Sequence, residues 1–283
     1  MQFKHYTCIK TFYANTFDIL MRHEAQNIIP LGNILIGNEG KDTAGWRNPA
    51  NWFMATVSDA TGILLTAVMT PPHNLTLYAT DNINDATVLR CLIDDIKNAG
   101  VTIPGVMAEK SLAEMFADLY GKEYKIDTDQ RIYELSQVNK DIPAIGTVRL
   151  AEEKDMSFLP YWINDFFNEC FGDPLSVGGN AEQARYHLNS GRLYVLEDNG
   201  VPVSIAKLSR ELITVCAIGL VYTPPYLRGK GYASACVATV SQIGLDKGFK
   251  KCVLYTDLAN PTSNSIYKKI GYVPIADSLD IKF

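Results

Sequence analysis

The sequence predicts an α/β (α+β) fold, a mixed central sheet flanked by helices and built in two similar halves. Three observations carry this expectation. Apolar residues make up 47% of the 283-residue chain, enough to bury the cores of one large or two ordinary domains. Helix-like and strand-like apolar patterns alternate from end to end. The same order of elements also occurs twice: helices, a hairpin, then strand, helix, strand, helix, strand.

In the first half, a helical pattern covers Tyr6 to about Gln26, with Phe12, Thr16, Ile19, Leu20 and His23 near one face, His23 reading as a core-edge histidine rather than a ligand. Asn51 to Val57 and Gly62 to Thr70 read as strands joined by the Asp59–Gly62 turn, with a third strand over Asn74 to Thr80. Asn84 to Asn98 is an amphipathic helix with Val88, Leu89, Leu92, Ile93 and Ile96 on its apolar side, stopped by Gly100. A short apolar segment (Pro104 to Met107), a helix (Ser111 to Tyr120) and a strand (Arg131 to Gln137) complete this half. Residues 138–147, with Asn139, Pro143 and Gly146, read as a linker, so the domains are expected at 1–140 and 148–283.

The second half begins with a strand at Val148–Leu150 and a helix from Glu152 to Cys170. Gly191 to Glu197 and Val201 to Ile213 form a hairpin about Asp198-Asn199-Gly200. Val215 to Thr223 is a strand, Gly231 to Lys247 a helix, Val253 to Asp257 a strand, Asn260 to Ile270 a helix, and Tyr272 to Phe283 a terminal strand.

The net charge of −5 argues against general binding of nucleic acid. The charge is uneven, however. Residues 225–251 carry Arg228, Lys230, Lys247, Lys250 and Lys251 against Asp246 alone, which suits a small anionic ligand. The six cysteines include no C-x-x-C pair, and Cys216, Cys236 and Cys252 fall in apolar patterns that suit buried thiols. No metal site is expected. The N-terminus lacks a signal pattern and no apolar run is long enough to span a membrane, so a cytoplasmic setting is expected.

The most informative stretch is Thr223 to Tyr272. Arg228-Gly229-Lys230-Gly231-Tyr232-Ala233 follows an apolar strand and opens a helix. Glycines there allow a tight turn and close backbone approach. The first N–H groups of a helix lack internal partners and lie at the positive end of its dipole, a ready seat for an anion. A Gly-Lys-Ser/Thr ending, which would mark a nucleotide triphosphate loop, is absent. Farther on, Asn260 before Pro261 fits a helix N-cap and Gly271 fits the residue after the helix end. Tyr267, seven residues after Asn260, projects from a similar face. Taken alone, Asn260 also reads as a plain cap and Tyr267 as a packed aromatic.

Arg228-x-x-Gly231-x-Ala233 followed by Asn260, Tyr267 and Gly271-Tyr272 resembles the GNAT superfamily of acyl-CoA-dependent N-acyltransferases. The resemblance covers residues 148–283 and implies a catalytic N-acetyltransferase domain there, with residues 1–140 a degenerate GNAT-like copy. It implies that the strands at 215–223 and 251–257 splay apart around acetyl-CoA, the co-substrate. The backbone of Val221, Tyr222 and Thr223 would pair with the pantetheine arm. Arg228, Gly229, Lys230, Gly231, Tyr232, Ala233 and Ser234 would hold the pyrophosphate, Asn260 would contact the arm, and Tyr267 would be the general acid.

The sequence departs from the family at the base. The strand Val215–Thr223 carries no acid; Asp257 is the nearest candidate, Glu211 a weaker one, and Asp257 equally suits a turn cap. The first half shows Thr80-Asp-Asn-Ile-Asn-Asp85 where the phosphate loop would stand, and its acids would repel a pyrophosphate. Trp46, Trp52, Phe158, Tyr161, Trp162, Phe166 and Phe167 are candidates to line an acceptor site or to fill core. The expected partners are acetyl-CoA and an amine acceptor, without nucleic acid or membrane, and a homodimer is compatible. The alternative is a non-catalytic acyl-CoA sensor or interaction protein that retains the fold.

Overall fold

The computed structural model describes residues 1–40, 45–80, 86–172 and 177–283. The first ten elements are β1 (Gln2–His5), α1 (Ile9–Met21), α2 (Ile28–Glu39), β2 (Phe53–Asp59), β3 (Gly62–Met69), β4 (Leu75–Ala79), α3 (Ala86–Asn98), β5 (Gly105–Glu109), α4 (Lys110–Tyr120) and β6 (Lys125–Leu135). The next ten are β7 (Thr147–Leu150), α5 (Leu159–Phe171), α6 (Val177–Asn189), β8 (Leu193–Asp198), β9 (Val201–Glu211), β10 (Val215–Tyr222), α7 (Tyr232–Asp246), β11 (Lys251–Asp257), α8 (Pro261–Ile270) and β12 (Val273–Lys282). Short 3-10 turns aside, both sets run strand, two helices, three strands, helix, strand, helix, strand. The repeat of order seen in the sequence is therefore present in space.

By contact, the chain forms two compact units. The first holds Met1–Ile132, Thr256–Ala259 and Ile275–Phe283. Its strands run β1-β2-β3-β4-β5-β12, with β12 antiparallel to β5 from Ser278↔Glu109 to Lys282↔Gly105. Leu65, Leu89, Ile93, Phe116, Leu279 and Ile281 are fully or almost fully buried in one core. This division differs from a cut of the sequence at the 138–147 linker. The final strand joins the first unit because Leu279 and Ile281 complete its core and Ser278 Oγ donates to Ala108 O at 2.8 Å.

The second unit holds Tyr133–Tyr255 and Asn260–Pro274. Its strands run β11-β10-β9-β8-β7. Two cores flank them. One contains Cys216, Val237, Leu254, Tyr267 and Tyr272, under α7 and α8. The other contains Leu159, Trp162, Ile205, Leu220 and Tyr222, under α5 and α6. Apolar side chains thus cover both faces of the sheet, as a mixed α/β layer requires.

Two local expectations change. The helix expected over Tyr6–Gln26 is α1, shortened to Ile9–Met21, and the flanking β1 and α2 are unforeseen. Pro30, Gly32 and Gly37 resemble helix breakers, but Pro30 sits in the first turn of α2, where no intrahelical N–H is required. Gly37 gives way to Trp52, whose ring would lie 2.7 Å from an added Cβ. The helix expected from Glu152 to Cys170 is a 3-10 turn (Glu153–Ser157) and then α5, broken where Pro160 enters the first turn. Residues 81–85, read as the eroded phosphate loop, and the side chain of Trp46 lie outside the described residues.

Candidate active site

The second unit gathers most of the sequence-predicted site around the end of β10. Strands β10 and β11 run parallel and pair at Val215↔Lys251, Cys216↔Cys252 and Ala217↔Val253, where the register ends. On its other edge β10 stays paired with β9 as far as Tyr222↔Ile205. Past Ala217, then, the β11-facing edge of β10 has no registered strand partner among the described residues. Such an edge offers backbone groups to an extended ligand.

A bulge coincides with this opening. The β9–β10 register shifts between Gly219 and Tyr222, and Leu220 has φ 50°. A left-handed conformation costs a leucine about 1–2 kcal/mol, so the neighbouring contacts must hold it. They also record its effect. Cys216 and Ile218 point into the α7/α8 core, whereas Leu220 and Tyr222 join the α5/α6 core. The bulge has reversed the alternation of side chains.

Buried hydrogen bonds fix the strand end. Ser204 Oγ donates to Tyr222 O at 3.1 Å and lies 2.9 Å from Thr223 Oγ1. Tyr222 OH donates to Asp165 Oδ2 on α5 at 3.2 Å. Burial, followed by the Asp165 carboxylate, raises this phenol well above the ordinary tyrosine range. Val221, between these anchors, stays half-buried.

The loop after β10 turns through Pro225–Leu227 and enters α7 at Tyr232. Gly229 has φ 77° and Gly231 φ 83°, conformations that glycine adopts without a Cβ penalty. Gly231 is the N-cap of α7, and no side chain caps the helix there. A Cβ at Gly229 would meet nothing within 4 Å. An open approach, glycine backbone and uncapped helical N–H groups together fit an anionic diphosphate.

Two of the loop side chains are already engaged. Arg228 Nε donates to Thr223 O at 2.8 Å, and its Nη2 lies 2.9 and 2.7 Å from the two carboxylate oxygens of Glu169 on α5. The guanidinium also lies 5.7 Å from the Tyr222 ring centre. The sequence suggested a cation offered to a phosphate; the structure adds the role of a staple between strand end, loop and α5. Tyr232 OH donates to Asp198 Oδ2 at 2.7 Å. Lys230 is exposed, and Ala233 and Ser234 are half-buried in the first turn.

On α8, Asn260 Oδ1 accepts from the Ser263 N–H at 3.0 Å, with Pro261 opening the helix. The N-cap reading of Asn260 is therefore correct, and the side chain is exposed. Tyr267 is buried, 6.4 Å from the Tyr133 ring and 6.0 Å from that of Tyr272. Burial pushes its phenol up to about 12; the Cys170 thiol pushes the same way and a hydrogen bond with Ser263 pulls it down. Tyr267 thus holds its proton at neutral pH, as a general acid must.

Neither candidate base looks poised for proton abstraction. Asp257 is exposed and its Oδ1 accepts from the Ala259 N–H at 2.7 Å, the turn cap considered above. By contact it belongs to the first unit and Tyr267 to the second. Glu211 is ion-paired with Lys247 at 3.1 Å and Arg192 at 3.6 Å. Of the candidate aromatics, Trp162 is buried 6.2 Å from the Tyr222 ring, whereas Tyr161 is exposed.

The sequence reading missed Asp165, Glu169 and Ser204. A signal for the first two was present: two acids four residues apart, hence on one face, in the otherwise aromatic α5. Ser204 carried none. Among the described residues, no group of His, Cys, Asp and Glu could hold a metal ion, and no helix is long and apolar enough to cross a membrane.

Residues 160–272 match the family described as Acetyltransferase (GNAT) family. No curated protein matches the chain. Among solved structures, a GCN5-related N-acetyltransferase from Sphaerobacter thermophilus is similar at TM-score 0.63 and 16% identity, over 99% of this chain and 95% of that one. An acetyltransferase from the GNAT family of Colwellia psychrerythraea aligns over all of both chains at TM-score 0.60 and 10% identity. A tandem GNAT protein from the clavulanic acid biosynthesis pathway aligns over 99% of this chain and 97% of that one, at TM-score 0.58 and 9% identity. At these identities the likeness is one of fold.

Proposed function

We propose, from the match of residues 160–272 to the GNAT acetyltransferase family, that the chain is an N-acetyltransferase carrying acetyl from acetyl-CoA to a primary amine of a small molecule or peptide. Family and fold support acyl-CoA-dependent acyl transfer. One observation carries the finer reading: β10 parts from β11 at Ala217, beside an uncapped helix N-terminus, in the same unit as a buried, protonated phenol.

In this reading the N–H groups at the start of α7, with Gly229, Gly231 and the ammonium of Lys230, hold the pyrophosphate. The freed edge of Val221, Tyr222 and Thr223 pairs with the pantetheine arm, and the exposed Asn260 meets it from α8. Arg228 acts by fixing the loop against Glu169 and Thr223. The amine nitrogen attacks the thioester carbonyl carbon in a ternary complex, forming a C–N bond. A backbone N–H at the Val221 bulge stabilises the oxyanion. The C–S bond then breaks, and Tyr267 gives its proton to the departing thiolate. The proton lost by the amine leaves through water, which restores the phenol. Alignment of the two reactants supplies a large share of the acceleration. A cytoplasmic setting, where acetyl-CoA is available, suits this role.

Calorimetric titration with acetyl-CoA, paired with a free-thiol assay over a panel of amines, tests the proposal. Saturable binding with amine-dependent thiol release is expected. Binding without release under every amine would favour an acyl-CoA sensor, and no binding would overturn the reading.

A further inference from the structure

The stretch between β6 and β7, which the sequence marks as a linker, is bound at both ends to the helices of the candidate site. Near its start stands Asn139. Its N–H donates to Ile270 O at 2.8 Å and its Nδ2 to Lys269 O at 3.0 Å. The two preceding carbonyls of α8 are met by the chain that follows the helix: the Gly271 N–H donates to Lys268 O at 3.1 Å and the Tyr272 N–H to Tyr267 O at 3.0 Å. A helix end leaves four carbonyls without intrahelical partners, and Asn139 supplies donors to two of them. The fit is close. Gly271 has φ 113°, and a Cβ there would lie 3.0 Å from Gln137 O. Asn139 also shapes its own segment: its Oδ1 accepts from the Asp141 N–H at 3.1 Å and its carbonyl from the Ile142 N–H at 3.3 Å.

The other end reaches the anion seat. Ile142 and Ile145 pack on the α7/α8 core. A Cβ at Gly231, the N-cap of α7, would come within 3.2 Å of Ile145 Cδ1. Gly146 then closes on β8, where Glu197 O would lie 2.2 Å from an added Cβ. One short run of chain therefore connects the C-terminus of the helix bearing Tyr267 with the N-terminus of the helix that faces the diphosphate.

The core grips these two helices unequally. Buried residues recur along α7 from Ala235 to Gly244, whereas α8 buries only Tyr267 and Ile270. A helix as short as α8 is marginal by itself, so the placement of Tyr267 depends on what holds the helix ends. A displacement of about 1 Å can cost about 10²-fold in rate. We propose that residues 137–146 are a clasp between the two helices, with Asn139 a positioning residue for Tyr267 and Ile145 a positioning residue for the diphosphate seat. This rests on the acetyltransferase reading and adds to it a segment that touches neither substrate.

Calorimetry with acetyl-CoA and single-turnover acetyl transfer, on the full chain with an amine selected by the panel above, separate the two roles. Asn139→Ala keeps the backbone bond and loses the side-chain donor; it should slow the chemical step about tenfold and leave acetyl-CoA affinity unchanged. Asn139→Asp keeps the Asp141 contact, loses the donor and sets a negative charge at the helix C-terminus, so it should be at least as slow. Ile145→Ala should do the opposite, weakening acetyl-CoA about threefold with the chemical step at saturation unchanged. Affinity and rate falling together in each variant, as a general loosening would cause, or parent-like turnover in Asn139→Asp would overturn the proposal. Should Asn139→Ala fail to fold, hydrogen exchange in the parent decides: acetyl-CoA should slow the Asn139 and Tyr272 amides, and unchanged exchange at both would overturn the clasp. A parent that neither binds acetyl-CoA nor releases thiol would refute the acetyltransferase reading and the clasp with it. A missing contrast between variants of an active parent would refute the clasp alone.

Discussion

The two halves of the chain share an architecture and differ in their chemistry. In the first, β4 and β5 pair in parallel only at Leu75↔Val106 and Thr76↔Met107; in the second, β10 and β11 part after Ala217↔Val253. Each leading strand carries a tyrosine bonded to a polar residue on or just after the first helix: Tyr78 OH to His23 Nδ1 at 2.8 Å, and Tyr222 OH to Asp165 Oδ2 at 3.2 Å. Each last helix opens on a side-chain cap, Glu109 in α4 and Asn260 in α8. Seven residues beyond those caps stand Phe116, fully buried, and Tyr267. The first half keeps the ring and lacks the hydroxyl. Its sequence also lacks the two glycines of the phosphate loop, with Asp81 and Asp85 in that region. Both halves keep these packing positions; the groups that the proposed reading sets against a coenzyme occur in the second.

The largest expected effect comes from making the second half resemble the first. Tyr267→Phe removes a general acid and should slow acetyl transfer by about 10²–10⁴-fold, with acetyl-CoA affinity unchanged by calorimetry. An unaltered chemical step in single-turnover measurements would remove Tyr267 from its role. The reverse change, Phe116→Tyr, should create no activity. It buries a hydroxyl in an apolar core and should cost about 1–3 kcal/mol in urea unfolding; acetyl transfer gained at the first half would break the comparison.

Asp257→Ala sharpens the question of the base. Loss of the turn contact should lower stability by about 1 kcal/mol and leave the pH–rate profile as it was. Disappearance of the profile's acidic limb would make Asp257 the base. The smallest effect concerns His187. Burial first, then the Lys207 charge, lowers its folded pKa to about 4, below the ordinary 6.5, so between those values the unfolded chain binds more protons. Its contribution is complete above about pH 6.5 and is lost as pH falls towards 4, by about 3 kcal/mol. His187→Gln should flatten that part of the stability profile; an identical slope in both proteins would contradict the assignment.

What the sequence revealed was local. The α7–β11–α8 segment was legible because Gly231, the Asn260-Pro261 pair and Gly271 each act within a turn of their own position. What it concealed depends on distant partners. The Arg228 staple needs Glu169, 59 residues away. Membership of β12 in the first unit depends on Leu279 and Ile281 filling that core. Gly37 in α2 makes sense only once the Trp52 ring is seen against it. The bulge at Leu220 left no mark in the sequence, since leucine does not favour positive φ.

The central claim, that the coenzyme is held by the second half alone, is most directly tested by hydrogen–deuterium exchange with and without acetyl-CoA, in the parent chain and in Gly231→Asp. The account predicts protection at residues 221–223 and 229–234, none at β4 or α3, and loss of all protection in the variant, whose carboxylate would meet the pyrophosphate. Protection at β4 and α3, or undiminished protection in Gly231→Asp, would contradict it.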